Sequence, residues 1–243
     1  MKKAEVASIT KLSKKQDESF ISSSYPELDA IMGGGFPRGR VTEVSGNEGV
    51  GKTYLVTKLM ASLSKDYKIL FCDAEFSLNK DRVNKLGANP ENIDYYADSR
   101  LEDVAEQITK NIGKYDVIIL DSLASLIPMT IENQEVGESS NIGLFSRLIK
   151  QFVMKMRPQL GRSQTALIVI NQMRKGIGPY VKNEPPGGMA WSHVCDIRLR
   201  LSANNSKDKI ESGGVRTGHW VRAECTKNKC APPHINTKFK LEY

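Results

Sequence analysis

The chain has 243 residues, of which 40% are hydrophobic and 26% charged, proportions typical of a globular protein rather than a disordered one. No apolar run approaches the roughly 20 residues that span a bilayer, and the N-terminal segment MKKAEVAS lacks the apolar stretch of a signal peptide. We therefore expect a cytoplasmic protein with no membrane partner. The net charge of +7 is concentrated after Arg200, where Lys and Arg outnumber Asp and Glu, which suits a polyanion such as nucleic acid.

Residues 1–19 are polar and rich in lysine, and we expect them to form an N-terminal arm or oligomerisation segment ahead of a core over residues 20–243. In the core, continuous apolar runs that predict buried strands alternate with apolar residues at helical spacing. Strands are predicted at 41–44, 68–73, 93–97, 116–121 and 165–171, and helices at 53–64, 79–86, 101–112 and 142–156, the last of them broken at Pro158.

The chain after Val194 has a different pattern, in which polar and apolar residues alternate. We expect segments 196–201, 218–225 and 237–242 to be strands toward a sheet edge, running antiparallel. The whole pattern predicts an α/β fold with a mostly parallel twisted sheet, helices on both of its faces and antiparallel edge strands.

The segment GNEGVGKT lies between a predicted strand and a predicted helix and fits the phosphate-binding P-loop. Its glycines let backbone N–H groups turn toward phosphate oxygens, and the helix that follows adds the positive end of its dipole. The lysine reaches the β and γ phosphates of ATP, and the threonine hydroxyl ligates Mg²⁺. The predicted nucleotide-binding residues are Gly46, Asn47, Glu48, Gly49, Val50, Gly51, Lys52, Thr53 and Tyr54.

Three polar side chains follow buried strands of the predicted sheet, where the ligands of such sheets bind. Asp121 ends the most apolar strand and is expected to hold Mg²⁺, although an aspartate there can also cap a turn. Glu75 is the candidate that positions the attacking water, with a solvated residue at a helix start as the alternative. Gln172 closes another strand, from which an amide can sense the γ-phosphate and act on the long glycine- and proline-rich segment that follows.

In their order and spacing, GNEGVGKT, DAEFSLN, VIILDSLASLIP, VINQMRKGIG, the glycine pair and KNK resemble the ATPase core of RecA-family recombinases. The resemblance covers nearly the whole chain, from about Phe20 to Tyr243, and implies a RecA-like P-loop NTPase core. It also implies that Lys52, Thr53 and Asp121 bind Mg-ATP, that Glu75 is the general base, and that Gln172 couples the γ-phosphate to DNA binding.

The same resemblance implies that an ATP site is completed by the next subunit. Lys227 and Lys229 match lysines that reach into the neighbour's site, and His193 matches a histidine that senses ATP across that interface in the archaeal and eukaryotic branch. Arg82 occupies the position of an aromatic residue over the adenine of bacterial members, so we expect a guanidinium to stack there.

For DNA, the resemblance implies two binding loops, near 132–139 and 173–188. Arg147, on the predicted long helix, matches an arginine that contacts the DNA backbone. Met189 replaces a polar residue usual after the glycine pair. The residues implied to bind DNA are Arg147, Arg174, Lys175, Ile177, Gly187 and Gly188.

The function implied is an ATP-dependent recombinase that forms a helical homo-oligomeric filament on single-stranded DNA and exchanges strands with double-stranded DNA. Single-strand-binding or mediator proteins are possible further partners. The alternative is a RecA-fold paralogue that regulates recombination without exchanging strands. A hexameric helicase is disfavoured because the candidates for its interfacial arginine are lysines here.

Four cysteines in a chain of this length do not make a disulfide framework. His219, Cys225, Cys230 and His234 lie close together in sequence, which leaves a zinc site open as an alternative to chance spacing.

Overall fold

The computed structural model describes residues 19–135, 143–174, 184–204 and 207–243. Nearly all of the predicted N-terminal arm and parts of both predicted DNA loops lie outside these ranges. Among the helices of the described residues, none is long and apolar enough to cross a membrane.

The elements follow the predicted alternation of strand and helix. The strands are β1 (Phe20–Ile21), β2 (Phe36–Pro37), β3 (Val41–Gly46), β4 (Ile69–Asp73), β5 (Ile93–Ala97), β6 (Val117–Asp121), β7 (Ala166–Gln172), β8 (Ile197–Ser202), β9 (Lys209–Ser212), β10 (Val215–Asn228) and β11 (Ile235–Glu242). The helices are α1 (Pro26–Met32), α2 (Lys52–Leu63), α3 (Lys80–Lys85), α4 (Leu101–Asn111), α5 (Met129–Glu132), α6 (Leu144–Leu160) and α7 (Gly188–Val194).

Nine of the described strands form one sheet in the order β11-β10-β8-β3-β7-β6-β4-β5, with β9 paired to β10. The strands from β8 to β5 in this order are parallel, and β10 pairs antiparallel with β8, β9 and β11. Two buried hydrophobic clusters, one containing α2 residues and the other α4 and α6 residues, include alternate side chains of these strands. The predicted fold class, a mostly parallel sheet with antiparallel edge strands, is confirmed.

The expectation that segment 196–201 would run antiparallel to its neighbours is wrong for one of its two neighbouring strands. Strand β8 is parallel to β3, with Glu43 opposite Arg198, and antiparallel only to β10. Alternation of polar and apolar residues reports which faces of a strand are buried, and it carries no information about direction.

The predicted break of the long helix at Pro158 is also wrong. Helix α6 continues through Pro158 to Leu160, and the N–H of Gly161 donates to the carbonyl of Arg157 at 3.0 Å. Because Pro158 lies in the last turn of the helix, the donor that it lacks removes little of the hydrogen-bonding ladder.

The parallel strands define two edges of the sheet. We call the carboxyl edge the side on which β3, β4, β6 and β7 end, and the amino edge the side on which β3 and β8 begin. The P-loop follows β3 at the carboxyl edge. Asp196 immediately precedes β8 at the amino edge, and its N–H donates to the carbonyl of Val41, the first residue of β3, at 2.8 Å.

Candidate active site

The P-loop leads from β3 into α2, and two of its glycines, Gly49 and Gly51, have positive φ angles. Gly51 immediately precedes α2 with φ of 93°, in the left-handed region that favours glycine. The Nζ of Lys52 donates to the carbonyls of Gly46 at 3.0 Å and Asn47 at 2.9 Å. Burial lowers the pKa of Lys52, and the charges of Asp121 and Glu75 oppose that shift. The lysine is therefore already held inside the loop where phosphates would bind.

A buried histidine supports the P-loop from behind. His219 on β10 lies with Nε2 3.1 Å from the carbonyl of Val50 and Nδ1 2.9 Å from the hydroxyl of Tyr243. Its ring also approaches Gly51, where an added Cβ would lie 3.2 Å from Cε1. The sequence does not indicate this role, because the contact joins His219 to Val50, which lies 169 positions away.

Glu75 follows β4 at the carboxyl edge, and several donors converge on one of its carboxylate oxygens. Oε1 accepts from Ser122 Oγ at 2.6 Å, Gln172 Nε2 at 2.8 Å and Ser125 Oγ at 3.1 Å. The structure thus brings Glu75 and Gln172 into direct contact. Such a contact fixes the orientation of the carboxylate and links it to the strand end from which the second predicted DNA loop departs.

The loop that carries Glu75 is organised by Asp73, a residue that sequence reasoning missed. Asp73 is fully buried, and its carboxylate accepts from the backbone N–H groups of Glu75 and Ser77 at 3.2 Å and of Leu78 at 3.0 Å. Tyr95 donates its hydroxyl to the same carboxylate at 3.1 Å. The only indication of this role in the sequence is that Asp73 lies two residues before the candidate base, Glu75.

Asp121 ends β6 close to this group and has the character of an ion ligand. It is fully buried, and neither of its carboxylate oxygens has a hydrogen-bond partner among the described residues. Burial, with a further contribution from Glu75, raises the pKa of Asp121 to about 7, and the nearby Thr53 hydroxyl and then Lys52 act in the opposite direction. A buried carboxylate without partners is unfavourable unless a cation or a proton compensates it. Its position and oxygen donors fit Mg²⁺.

Arg82, the predicted adenine contact, lies beside the aromatic ring of Tyr54 in the structure. Arg82 is exposed on α3, and its guanidinium lies 5.8 Å from the ring centroid of Tyr54 in the first turn of α2. Lys58 approaches the same ring at 5.9 Å. The stacking of Arg82 on a base stays a prediction, and the ring of Tyr54 offers an aromatic surface beside it.

Lys227 and Lys229 lie away from the P-loop, at the amino edge. Lys227 Nζ donates to the carbonyls of Ser192 at 2.7 Å and His193 at 3.1 Å, at the C-terminal end of α7. Lys229 Nζ lies 3.3 Å from Asp196 Oδ1 and 3.5 Å from the His193 carbonyl. Burial and then the charge of Lys229 lower the pKa of Lys227. The His193 side chain is exposed beside them.

The predicted DNA residues are described in part. Arg147 is exposed in the first turn of α6. The N–H of Arg174 donates to the carbonyl of Glu184 at 3.3 Å, which closes the base of the second predicted loop, and its Nη2 donates to the carbonyl of Ala124 at 2.9 Å. Gly187 and Gly188 lie at the start of α7. Lys175, Ile177 and much of the first predicted loop lie outside the described residues.

The possible zinc site is not assembled in the part of the chain that the structure describes. No group of three or more His, Cys, Asp or Glu side chains there is placed to hold a metal ion. Cys225 is buried in β10, and its Sγ contacts the carbonyl of Lys227 at 3.3 Å.

Comparison with known proteins gives one consistent family. The sequence pattern of the RecA N-terminal domain matches residues 2–243. Protein RecA of Aquifex aeolicus (strain VF5) is 35% identical over 99% of this chain and 70% of the relative. Protein RecA of Aquifex pyrophilus is 37% identical over 89% of this chain and 63% of the relative. Protein RecA of Halalkalibacterium halodurans is 33% identical over 97% of this chain and 69% of the relative.

The chain therefore spans about two thirds of the length of these relatives. The match over nearly every residue agrees with the P-loop, the acidic and amide side chains at the carboxyl edge, and the lysines at the amino edge. On the fold, the motifs and these similarities together, the chain belongs to the RecA family.

Proposed function

We propose that the protein is a DNA-dependent ATPase that assembles as a filament on single-stranded DNA and catalyses homologous pairing and strand exchange with double-stranded DNA. Family membership supports the general activity. The observation that carries the proposal is the convergence of Lys52, Glu75, Asp121 and Gln172 at the carboxyl edge, while the candidate trans lysines lie at the opposite edge.

Each residue at the carboxyl edge has a task in ATP hydrolysis. The backbone of the P-loop and Lys52 would bind the phosphates, and Thr53 and Asp121 would hold Mg²⁺. Mg²⁺, when bound, neutralises charge that develops on the phosphate oxygens. Glu75, oriented by the Ser122 and Gln172 donors, would position the attacking water and accept its proton.

The separation of the two edges supports the proposal that a second subunit completes the site. Asn228, which precedes Lys229, pairs with Ile197, and Ile197 lies opposite Thr42 on β3. Thr42 precedes the P-loop residue Gly46 by four positions, so roughly 13 Å of strand separates the two levels. The lysines therefore contribute to catalysis by reaching the P-loop of another copy, as a head-to-tail assembly allows.

DNA binding is assigned to the exposed Arg147 and to the segment that begins after Gln172. Arginine and lysine side chains such as Arg174 and Lys175 bind phosphates and release counterions, so DNA affinity should fall as salt increases. Because Gln172 contacts Glu75 directly, occupation of the ATP site and the arrangement of this segment would depend on each other.

Steady-state ATP turnover with and without single-stranded DNA tests the proposal. Lys52→Ala and Lys229→Ala should each abolish DNA-stimulated turnover, whereas Lys240→Ala, which changes a surface lysine paired with Glu242, should not. A one-to-one mixture of the two inactive variants should recover turnover at about a quarter of the interfaces, because each supplies the half that the other lacks. DNA-independent turnover with an active Lys229→Ala variant would contradict the filament.

Strand exchange separates the recombinase from the alternative, a regulatory paralogue. The wild-type protein should convert homologous single-stranded and double-stranded DNA into exchanged products at matched salt. ATP turnover and filament formation without exchanged products would favour the regulator.

A further inference from the structure

A buried acid in the middle of the sheet has no part in the site described above. Glu43 lies at the centre of β3 and is fully buried. Its Oε1 accepts from Asn171 Nδ2 at 2.8 Å and Trp191 Nε1 at 2.9 Å, and its Oε2 accepts from Arg198 Nε at 2.5 Å. A buried carboxylate is tolerated when such donors surround it, and loss of any one of them is costly.

One of these donors leads to the ATP site and to the second predicted DNA loop. Asn171 precedes Gln172, whose N–H donates to Asn171 Oδ1 at 3.0 Å. The Asn171 amide that reaches Glu43 also donates to the carbonyl of Pro186 at 2.9 Å, where that loop returns to the fold. A displacement of Gln172 or of the returning loop therefore alters a donor of Glu43.

Another donor leads to the amino edge. Trp191 lies in the middle of α7, and Gly187 packs against it so closely that an added Cβ would lie 2.7 Å from Trp191 Cβ. The carbonyls of the next two residues in α7, Ser192 and His193, accept from Lys227. Helix α7 thus joins the end of the predicted DNA loop, the buried indole and the interfacial lysine.

We propose that Glu43 is a positioning residue that couples the two halves of the ATP site within one subunit. Through Asn171 it responds to Gln172, and through Trp191 it sets the position of α7 and of the lysines that α7 holds. This inference rests on the proposed function of Gln172 and Lys227. The inference adds that Glu43 and Trp191 transmit a change of position between Gln172 and Lys227. Because several donors share one buried carboxylate, displacement of one donor redistributes the others.

Trp191 fluorescence tests the first half of this coupling without DNA or turnover. The chain has two tryptophans, and Trp220 is partly exposed on β10, so Trp220→Phe leaves Trp191 as the only indole. Binding of a non-hydrolysable Mg-ATP analogue should shift Trp191 emission in this background. Adding Gln172→Ala should remove the shift while calorimetry shows that the analogue still binds. An unchanged shift in Gln172→Ala, or none in the parent despite bound analogue, overturns the inference.

Two conservative changes test the second half. Trp191→Phe removes the donated N–H but keeps an aromatic ring, and Glu43→Gln removes the charge at nearly constant volume. With thermal unfolding as the check on folding, each should reduce the stimulation of turnover by single-stranded DNA at least fivefold and leave DNA-independent turnover within twofold. Trp220→Phe is the matched control and should keep full stimulation. Wild-type stimulation in both folded variants overturns the coupling.

The outcomes distinguish this inference from the proposed function. If the wild-type protein shows no stimulation by DNA but the Gln172-dependent emission shift is present, the DNA-dependent ATPase proposal fails and the internal link from Gln172 to Trp191 stands. If DNA stimulates the wild type and the variants alike, the ATPase proposal stands and the inference fails.

Discussion

An aspartate is buried at each edge of the parallel sheet, and the two differ in their hydrogen-bond partners. At the amino edge, the carboxylate of Asp196 accepts from Arg157 at 2.6 Å, Arg40 at 3.2 Å and the Val41 N–H at 3.1 Å, with Lys229 3.3 Å away. At the carboxyl edge, neither oxygen of Asp121 has a hydrogen-bond partner in the described part of the chain. Both side chains are fully buried.

The contrast supports a structural role for Asp196 and the proposed ion-binding role for Asp121. Burial alone would raise the pKa of Asp196, but the Val41 N–H and the charges of Arg157 and Lys229 hold it below its usual value. Burial raises the pKa of Asp121 to about 7, because the Thr53 hydroxyl and Lys52 oppose the effect of burial only in part. We therefore expect Asp121, buried beside the P-loop, to bind a cation.

The largest effect that this contrast predicts is on catalysis at the carboxyl edge. Asp121→Asn should lower DNA-stimulated turnover about a thousandfold, because an amide has no charge with which to hold Mg²⁺. Binding of nucleotide in the absence of Mg²⁺, measured by calorimetry, should change little, and circular dichroism should show a folded protein. Turnover of Asp121→Asn within tenfold of wild type would contradict the ion-binding role that distinguishes Asp121 from Asp196.

The second prediction concerns pH in metal-free protein with a chelator present. The pKa of Asp121 is about 7 in the folded chain and about 4 in an unfolded one, so between these values the folded state binds more protons. Stability relative to Asp121→Asn should therefore fall as pH rises from 4 to 7, by about 4 kcal/mol at most, and then level off. The measurement is the difference in urea unfolding between the two proteins. If the difference in unfolding free energy did not change with pH, other groups of the protein would compensate the charge of the Asp121 carboxylate.

The positions of the strands and of the carboxyl-edge residues could be predicted because both depend on local sequence. Apolar runs mark buried strands, and a parallel sheet places Glu75, Asp121 and Gln172 at one edge whatever the details. The acids that organise the interior could not be recognised in this way. The indole donor of Glu43 lies 148 positions away, so nothing near Glu43 in the sequence reveals its partner.

The direction of β8 and the support behind the P-loop were missed for related reasons. A strand acquires its direction from the connection that precedes it, and β8 is brought parallel to β3 by α7. His219 looked like a metal-ligand candidate because its neighbours in sequence include cysteines. Its contact with the Val50 carbonyl depends on how β10 passes behind the loop.

The third prediction tests the amino edge. Asp196→Asn should destabilise the protein by about 2 to 3 kcal/mol, because Arg157, Arg40 and Lys229 are left close together without a counter-charge. Asp116→Asn is the matched control at the same edge. Asp116 pairs with Arg38 and its side chain is 38% exposed, so its loss should cost about 1 kcal/mol or less. Equal losses in urea unfolding would mean that the cluster around Asp196 acts as an ordinary surface pair.

The smallest predicted effect concerns Asp73, which we expect to position the catalytic residue Glu75 without taking part in catalysis itself. Asp73 is buried at the carboxyl edge like Asp121, but its carboxylate is occupied by the backbone of the loop that carries Glu75 and by the Tyr95 hydroxyl. Asp73→Asn should loosen that loop and lower kcat about tenfold, with the affinity for nucleotide within twofold, because only the placement of Glu75 changes. Tyr95→Phe removes one peripheral donor and should lower kcat less than threefold. If Asp73→Asn instead weakened nucleotide binding as strongly as it lowered kcat, Asp73 would belong with Asp121 among the ligand-binding acids, and the carboxyl edge would hold two such acids.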